Sequence, residues 1–150
     1  MASILDKSTP KTPQCLSIMA PILDKQYSLQ IYKTSYLCFI THLYAVCKGH
    51  YGIAIIPLSV GITSLHYWKN PDYSYRRYLD IIVVKSGLTY QLYLAYFLKH
   101  GELYYYIMSS IPFLYFLGIY YHRQKNFVIS TYAHMLLHIV ANIGNVVLIK

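Results

Sequence analysis

The side chains able to do chemistry in this chain are few, and histidine dominates them. His134 and His138 stand four residues apart, with His66 and Asp80 ahead of them. On a helix, residues spaced by four share a face one turn apart. Three neutral imidazoles and a water form a ligand set for tetrahedral zinc that keeps one position open for chemistry. The His-x3-His pair supplies two of them, and His66 is the expected third. Such a metal lowers the pKa of its bound water and polarises a carbonyl, with Asp80 as general base or as the group that orients a ligand. The expected site is therefore zinc at His66, His134 and His138, with catalysis through Asp80.

These residues need elements to position them. Phe127 to Lys150 is an almost unbroken apolar run in which Thr131, His134, His138, Asn142 and Asn145 step by three or four, one polar stripe on a helix. At 1.5 Å per residue the run is about 35 Å long, enough to cross a hydrocarbon core of roughly 30 Å. Of the 150 residues, 56% are hydrophobic, 12% are charged and 19 are tyrosine, arranged as long apolar blocks between short charged links. That pattern excludes an ordinary water-soluble domain. It leads us to expect an all-α, polytopic transmembrane helix bundle, an integral multi-pass protein with its N-terminus cytoplasmic.

Five spans are expected, with four as the alternative if the first, about 29–47, fails because Lys33 and His42 interrupt it. Lys48-Gly49-His50 returns the chain tightly into a second span, Tyr51 to Trp68, which Asn70-Pro71 ends. Tyr78 to Leu98 and Leu103 to Tyr121 follow. Tyr104, Tyr105 and Tyr106 at one border of the latter, and Tyr120 and Tyr121 at the other, read as interfacial belts. Residues 1–26 form a polar N-terminal tail expected to be flexible, retained and cytoplasmic, and 27–150 form the transmembrane domain.

The formal net charge of +8 would suggest nucleic acid in a soluble protein. Here the basic residues flank apolar runs, so the expected partner is the lipid bilayer, with no nucleic acid. An inside N-terminus puts Lys69, Arg76, Arg77, Arg123 and Lys125 on the cytoplasmic side, with Lys48, Lys99 and Lys150 opposite. His66, Asp80, His134 and His138 then share the cytoplasmic side. Cys15, Cys38 and Cys47 form neither a disulfide framework nor a thiolate metal motif, and Cys38 and Cys47 are expected to be buried.

A histidine closing a second helix, an aspartate opening a third and His-x3-His in the last resemble the membrane hydrolase superfamily of alkaline ceramidases and progestin and adipoQ receptors. The resemblance maps onto His66, Asp80, His134 and His138. It implies zinc held by the histidines, and hydrolysis of amide or ester bonds in a lipid substrate at the cytoplasmic side. The family has a serine four residues before the first histidine, where this chain has Ile62, with Ser59, Thr63 and Ser64 nearby. It also has seven helices rather than five.

Other readings compete with hydrolysis. The stripe serves equally as helix-packing glue in a non-catalytic protein, since Asn, Thr and His hydrogen-bond across helices and Gly144 permits close approach. In a small transporter or channel, His42, Lys85, Gln91 and the stripe would line a hydrated path. Asp80 has its own simpler role, an ion pair with Arg76 or Arg77 one turn before it.

Overall fold

The computed structural model describes residues 22–150, so Cys15 and nearly all of the expected tail lie outside the described residues. Seven helical segments follow: α1 (Lys25–Thr34), α2 (Leu37–Cys47), α3 (Tyr51–Trp68), α4 (Tyr75–Ala95), α5 (Gly101–Met108), α6 (Ser110–Arg123) and α7 (Phe127–Ile149). No strand occurs among the described residues. Only Ser35 and Tyr36 part α1 from α2, and only Ser109 parts α5 from α6, so the segments make five rods. The helix starts at Lys25, inside the expected tail.

The first rod bends where the buried Ser35 hydroxyl turns back to the Ile31 carbonyl at 3.0 Å. A hydroxyl bonded in this way competes with the helical ladder and bends it. Its neighbours are returned by short caps. Gly49, at φ 77°, lets its own N–H and that of His50 reach the Val46 and Ala45 carbonyls, both at 2.9 Å. Those are carbonyls that a helix end leaves open, and a left-handed residue after the last turn satisfies them. Lys125 does the same after α6 at φ 58°, sending its N–H to His122 and that of Asn126 to Tyr121. The Asn126 side chain then accepts from the Ile129 N–H at 3.3 Å and caps α7.

Between α3 and α4 the link closes on Arg76, which pairs with Asp72 and donates to the Asn70 carbonyl at 3.0 Å. The Ser74 hydroxyl, ahead of the Arg76 guanidinium and against a smaller effect of burial, holds Asp72 below the usual carboxylate range.

The rods close into a ring in chain order, since α2 packs on α3, α3 on α4 and α4 on α5, while α7 lies against α1, α2, α3, α5 and α6. Small residues set the close approaches. A Cβ on Gly144 would stand 2.7 Å from Met108 Sδ, and one on Gly61 would stand 3.0 Å from the Phe39 ring. One end of the ring is plugged by an apolar cluster including Ala45, Ile53, Ala95, Tyr104, Leu148 and Ile149.

Polarity runs inside out. Thr41, Ser64, Asp80, Gln91, Thr131, His138, Asn142 and Asn145 are buried, whereas Ile40, Ile55, Ile82, Phe113, Phe116 and Ile143 are exposed. Two helical stretches, Gly101–Arg123 and Phe127–Ile149, are long and apolar enough to cross a membrane. The outward face accounts for two departures from expectation. Cys47 is exposed, because the last turn of α2 points it away from the ring, while Cys38 is buried as expected. Tyr104 is fully buried rather than part of a belt, because its position on α5 faces inward and its hydroxyl finds Gln91 Oε1 at 3.3 Å.

Candidate functional site

The stripe on α7 faces the centre of the ring. Thr131, His138, Asn142 and Asn145 are all buried, and His134 is half-buried. Asn142 ties α7 to α2: its Oδ1 accepts from the Thr41 hydroxyl at 2.6 Å, and its amide donates to the His138 carbonyl at 2.7 Å and to Cys38 Sγ at 3.6 Å. That one residue therefore acts as the expected packing glue.

Its neighbours on the stripe behave differently. His138, Asn142 and Asn145 line a cavity of about 80 Å³ inside the ring, with Gln91 facing them from α4 and with Cys38, Pro57, Val84 and Met108 among the other wall residues. Three of those side chains carry a buried polar atom with no hydrogen-bond partner among the described residues: Gln91 Nε2, His138 Nε2 and Asn145 Oδ1. A buried polar group without a partner costs about 1–3 kcal/mol. Three of them converging on one space mark it as the place for a small polar guest. That space is large enough to hold a few water molecules.

An open cleft of about 440 Å³ lies at the end of the ring opposite the apolar plug. Tyr67, Trp68, Arg77, Asp80, His122, Arg123, Ser130 and His134 line it. The Asp80 carboxylate accepts from the Ser64 hydroxyl at 2.7 Å and from the Thr63 hydroxyl at 2.9 Å. Asp80 is thus held by α3. It forms no ion pair with either arginine: Arg76 is taken by Asp72, and Arg77 stacks over the Tyr73 ring at 5.0 Å. His134 meets the Trp68 ring edge-on at 4.7 Å, and its ring centroid is 5.2 Å from that of His138. The histidine pair therefore lies between the two spaces, with His134 on the cleft and His138 on the cavity.

His66 is not part of this arrangement. It is exposed near the end of α3, with its Nε2 3.4 Å from the Tyr75 hydroxyl, because Tyr67 and Trp68 take the inward positions of that turn. Among the described residues, no three His, Cys, Asp or Glu side chains are gathered as a metal ion would require. The zinc set of His66, His134 and His138 thus lacks its third ligand here, and the residues present do not fit the metal. Asp80 and His134 share the cleft; His138 faces the cavity.

Of the residues expected to line a hydrated path, Gln91 and the stripe residues His138, Asn142 and Asn145 border the cavity. His42 instead sets its Nδ1 2.9 Å from the Ala54 carbonyl, and Lys85 is exposed on the outside of the ring. Ser64 is the polar residue whose weight the sequence understated. Its adjacency to Thr63 near the aspartate was the available signal, but only the rotation of α3 shows that both hydroxyls meet Asp80. No protein-family model, no curated protein and no solved structure matches the chain. The resemblance to the membrane hydrolases rests on the residues quoted for it.

Proposed function

We propose that the chain is a five-span integral membrane protein, N-terminus cytoplasmic, that admits a small polar species to its interior: a small transporter or channel. The inside-out polarity supports the spans. Contiguous apolar surface on this scale is unfavourable in water and is what lipid requires, while Thr41 with Asn142 and Tyr104 with Gln91 hydrogen-bond across helices inside the ring. Pro57 inside α3 and the break between α1 and α2 are tolerated in spans when neighbours satisfy the freed backbone. The basic residues near the cleft, Arg77 and Arg123, favour the cytoplasmic side for that end.

The observation that carries the functional reading is that Gln91, His138 and Asn145, each with an unpartnered polar atom, line one cavity inside the ring. Helix packing alone leaves those atoms costly, and a polar guest relieves them. Hydrolysis would need a third metal ligand that the described residues do not bring to His134 and His138.

The test is permeation. Liposomes carrying the protein, challenged with formamide, urea and glycerol in a light-scattering shrink–swell assay, should take up the smallest of these faster than protein-free liposomes. Gln91→Leu with Asn145→Leu should bring uptake down toward the protein-free rate, while Leu136→Ala on the outer face should not. Uptake by the unsubstituted protein equal to that of empty liposomes for all three solutes contradicts the reading.

A further inference from the structure

Lys85 is the charge in the wall of the ring that nothing in the described chain answers. It stands at the middle of α4, about 15 Å from either end at 1.5 Å per residue, and is exposed on the outer surface. Ser86, Thr89 and Tyr93 are exposed beside it, and the Thr89 hydroxyl is turned back to the Lys85 carbonyl at 2.9 Å. Lys85 has no ion-pair partner among the described residues. This inference rests on the five-span reading: on that reading the ammonium lies at mid-membrane depth, farther from the headgroups than a lysine stem reaches, and is unfavourable unless paired.

Among the described residues there are four acidic ones, and none is placed to pair with it. Asp24 and Glu102 stand at the starts of α1 and α5, Asp72 is paired with Arg76, and Asp80 is buried against Thr63 and Ser64. A second copy packed on this face about a two-fold axis would bring Lys85 toward Lys85, a repulsive contact. Charge complementarity therefore selects the occupant.

We propose that the outward face of α4 around Lys85 docks a transmembrane helix of another protein that carries a carboxylate at mid-span. The ion pair would neutralise the ammonium away from water, with Ser86 and Thr89 as adjacent polar contacts.

A synthetic leucine–alanine transmembrane helix with one central aspartate is the probe, and the same helix with asparagine is its control. With the full chain and the helix labelled for energy transfer in phosphatidylcholine vesicles, the aspartate helix should associate about tenfold more tightly than the asparagine helix. Lys85→Met should remove that preference and Lys85→Arg should keep it. Equal association of the two helices, or a preference unchanged in Lys85→Met, overturns the proposal. A nitroxide label at the exposed Ile82 of α4 in the same vesicles separates the two levels. Relaxation of that label by a water-soluble nickel chelate overturns the five-span reading and this inference with it, whereas protection from the chelate with equal helix association overturns this inference alone.

Discussion

Asp80 shows how far a single residue can be read before its neighbours are known. Spacing along α4 suggested an ion pair with Arg76 or Arg77, and the resemblance suggested catalysis. Instead the carboxylate is held by two hydroxyls from α3. The difference is one of rotation, since periodicity says which residues share a face but not which face meets the next helix. Ser64 is fully buried and Asp80 is its acceptor, whereas Thr63 also lies 3.2 Å from the Val60 carbonyl. Removing the carboxylate therefore strands one hydroxyl more than the other. We expect Asp80→Ala to lower stability in detergent by about 1–3 kcal/mol, the cost of an unsatisfied buried group. Asp80→Asn, which keeps an acceptor, should lose less, and Ser64→Ala combined with Asp80→Ala should recover part of the loss. Equal melting of Asp80→Ala and the unsubstituted protein would show that the contact adds nothing.

At the scale of elements, much was legible. The turn at Lys48-Gly49-His50 and the stop at Asn70-Pro71 set α3 at Tyr51–Trp68, as the sequence reading has it, and the apolar run from Phe127 became α7. Both follow from strong local chemistry: a left-handed glycine, a proline, a sustained apolar period. The break at Ser35 was not legible, because a hydroxyl turned back on its own helix, as at Ser35, also occurs at Ser59 and Thr89 inside unbroken helices. Nor was the end of α6, where a lysine rather than a glycine takes the left-handed position. For a residue with a Cβ that conformation costs roughly 1 kcal/mol. Lys125→Gly should accordingly raise the thermal stability of the purified protein, by up to about 1 kcal/mol, with the fold unchanged. A loss of stability on that substitution would mean that the lysine side chain supports the link in a way the cap does not reveal.

The described residues form three tiers: an apolar plug at one end, a cavity bordered by Gln91, His138 and Asn145 in the middle and an open cleft at the other end. The composition of the chain leads one to expect apolar helices, two of which are long enough to cross a membrane, but not the tiers, which depend on side chains from four or more rods meeting at the same depth. Tyr104 makes the point: counted with Tyr105 and Tyr106 it belongs to a border, yet it closes the core against Gln91. His66 makes the converse point, since its place in the sequence near a helix end says nothing of the exposed face on which it lies.

The central claim is that all five rods cross the bilayer with their apolar faces in lipid. Single nitroxide labels at Ile40, Ile55, Ile82, Phe116 and Ile143, one on each rod and each on an exposed position, test it directly by power-saturation spectroscopy in vesicles, in a background with Cys15, Cys38 and Cys47 replaced by serine. Our account requires every one of the five labels to be relaxed by dissolved oxygen and protected from a water-soluble nickel chelate. Relaxation by the chelate at Ile40, Ile55 and Ile82, with oxygen reaching only Phe116 and Ile143, would contradict it and leave a protein with two spans.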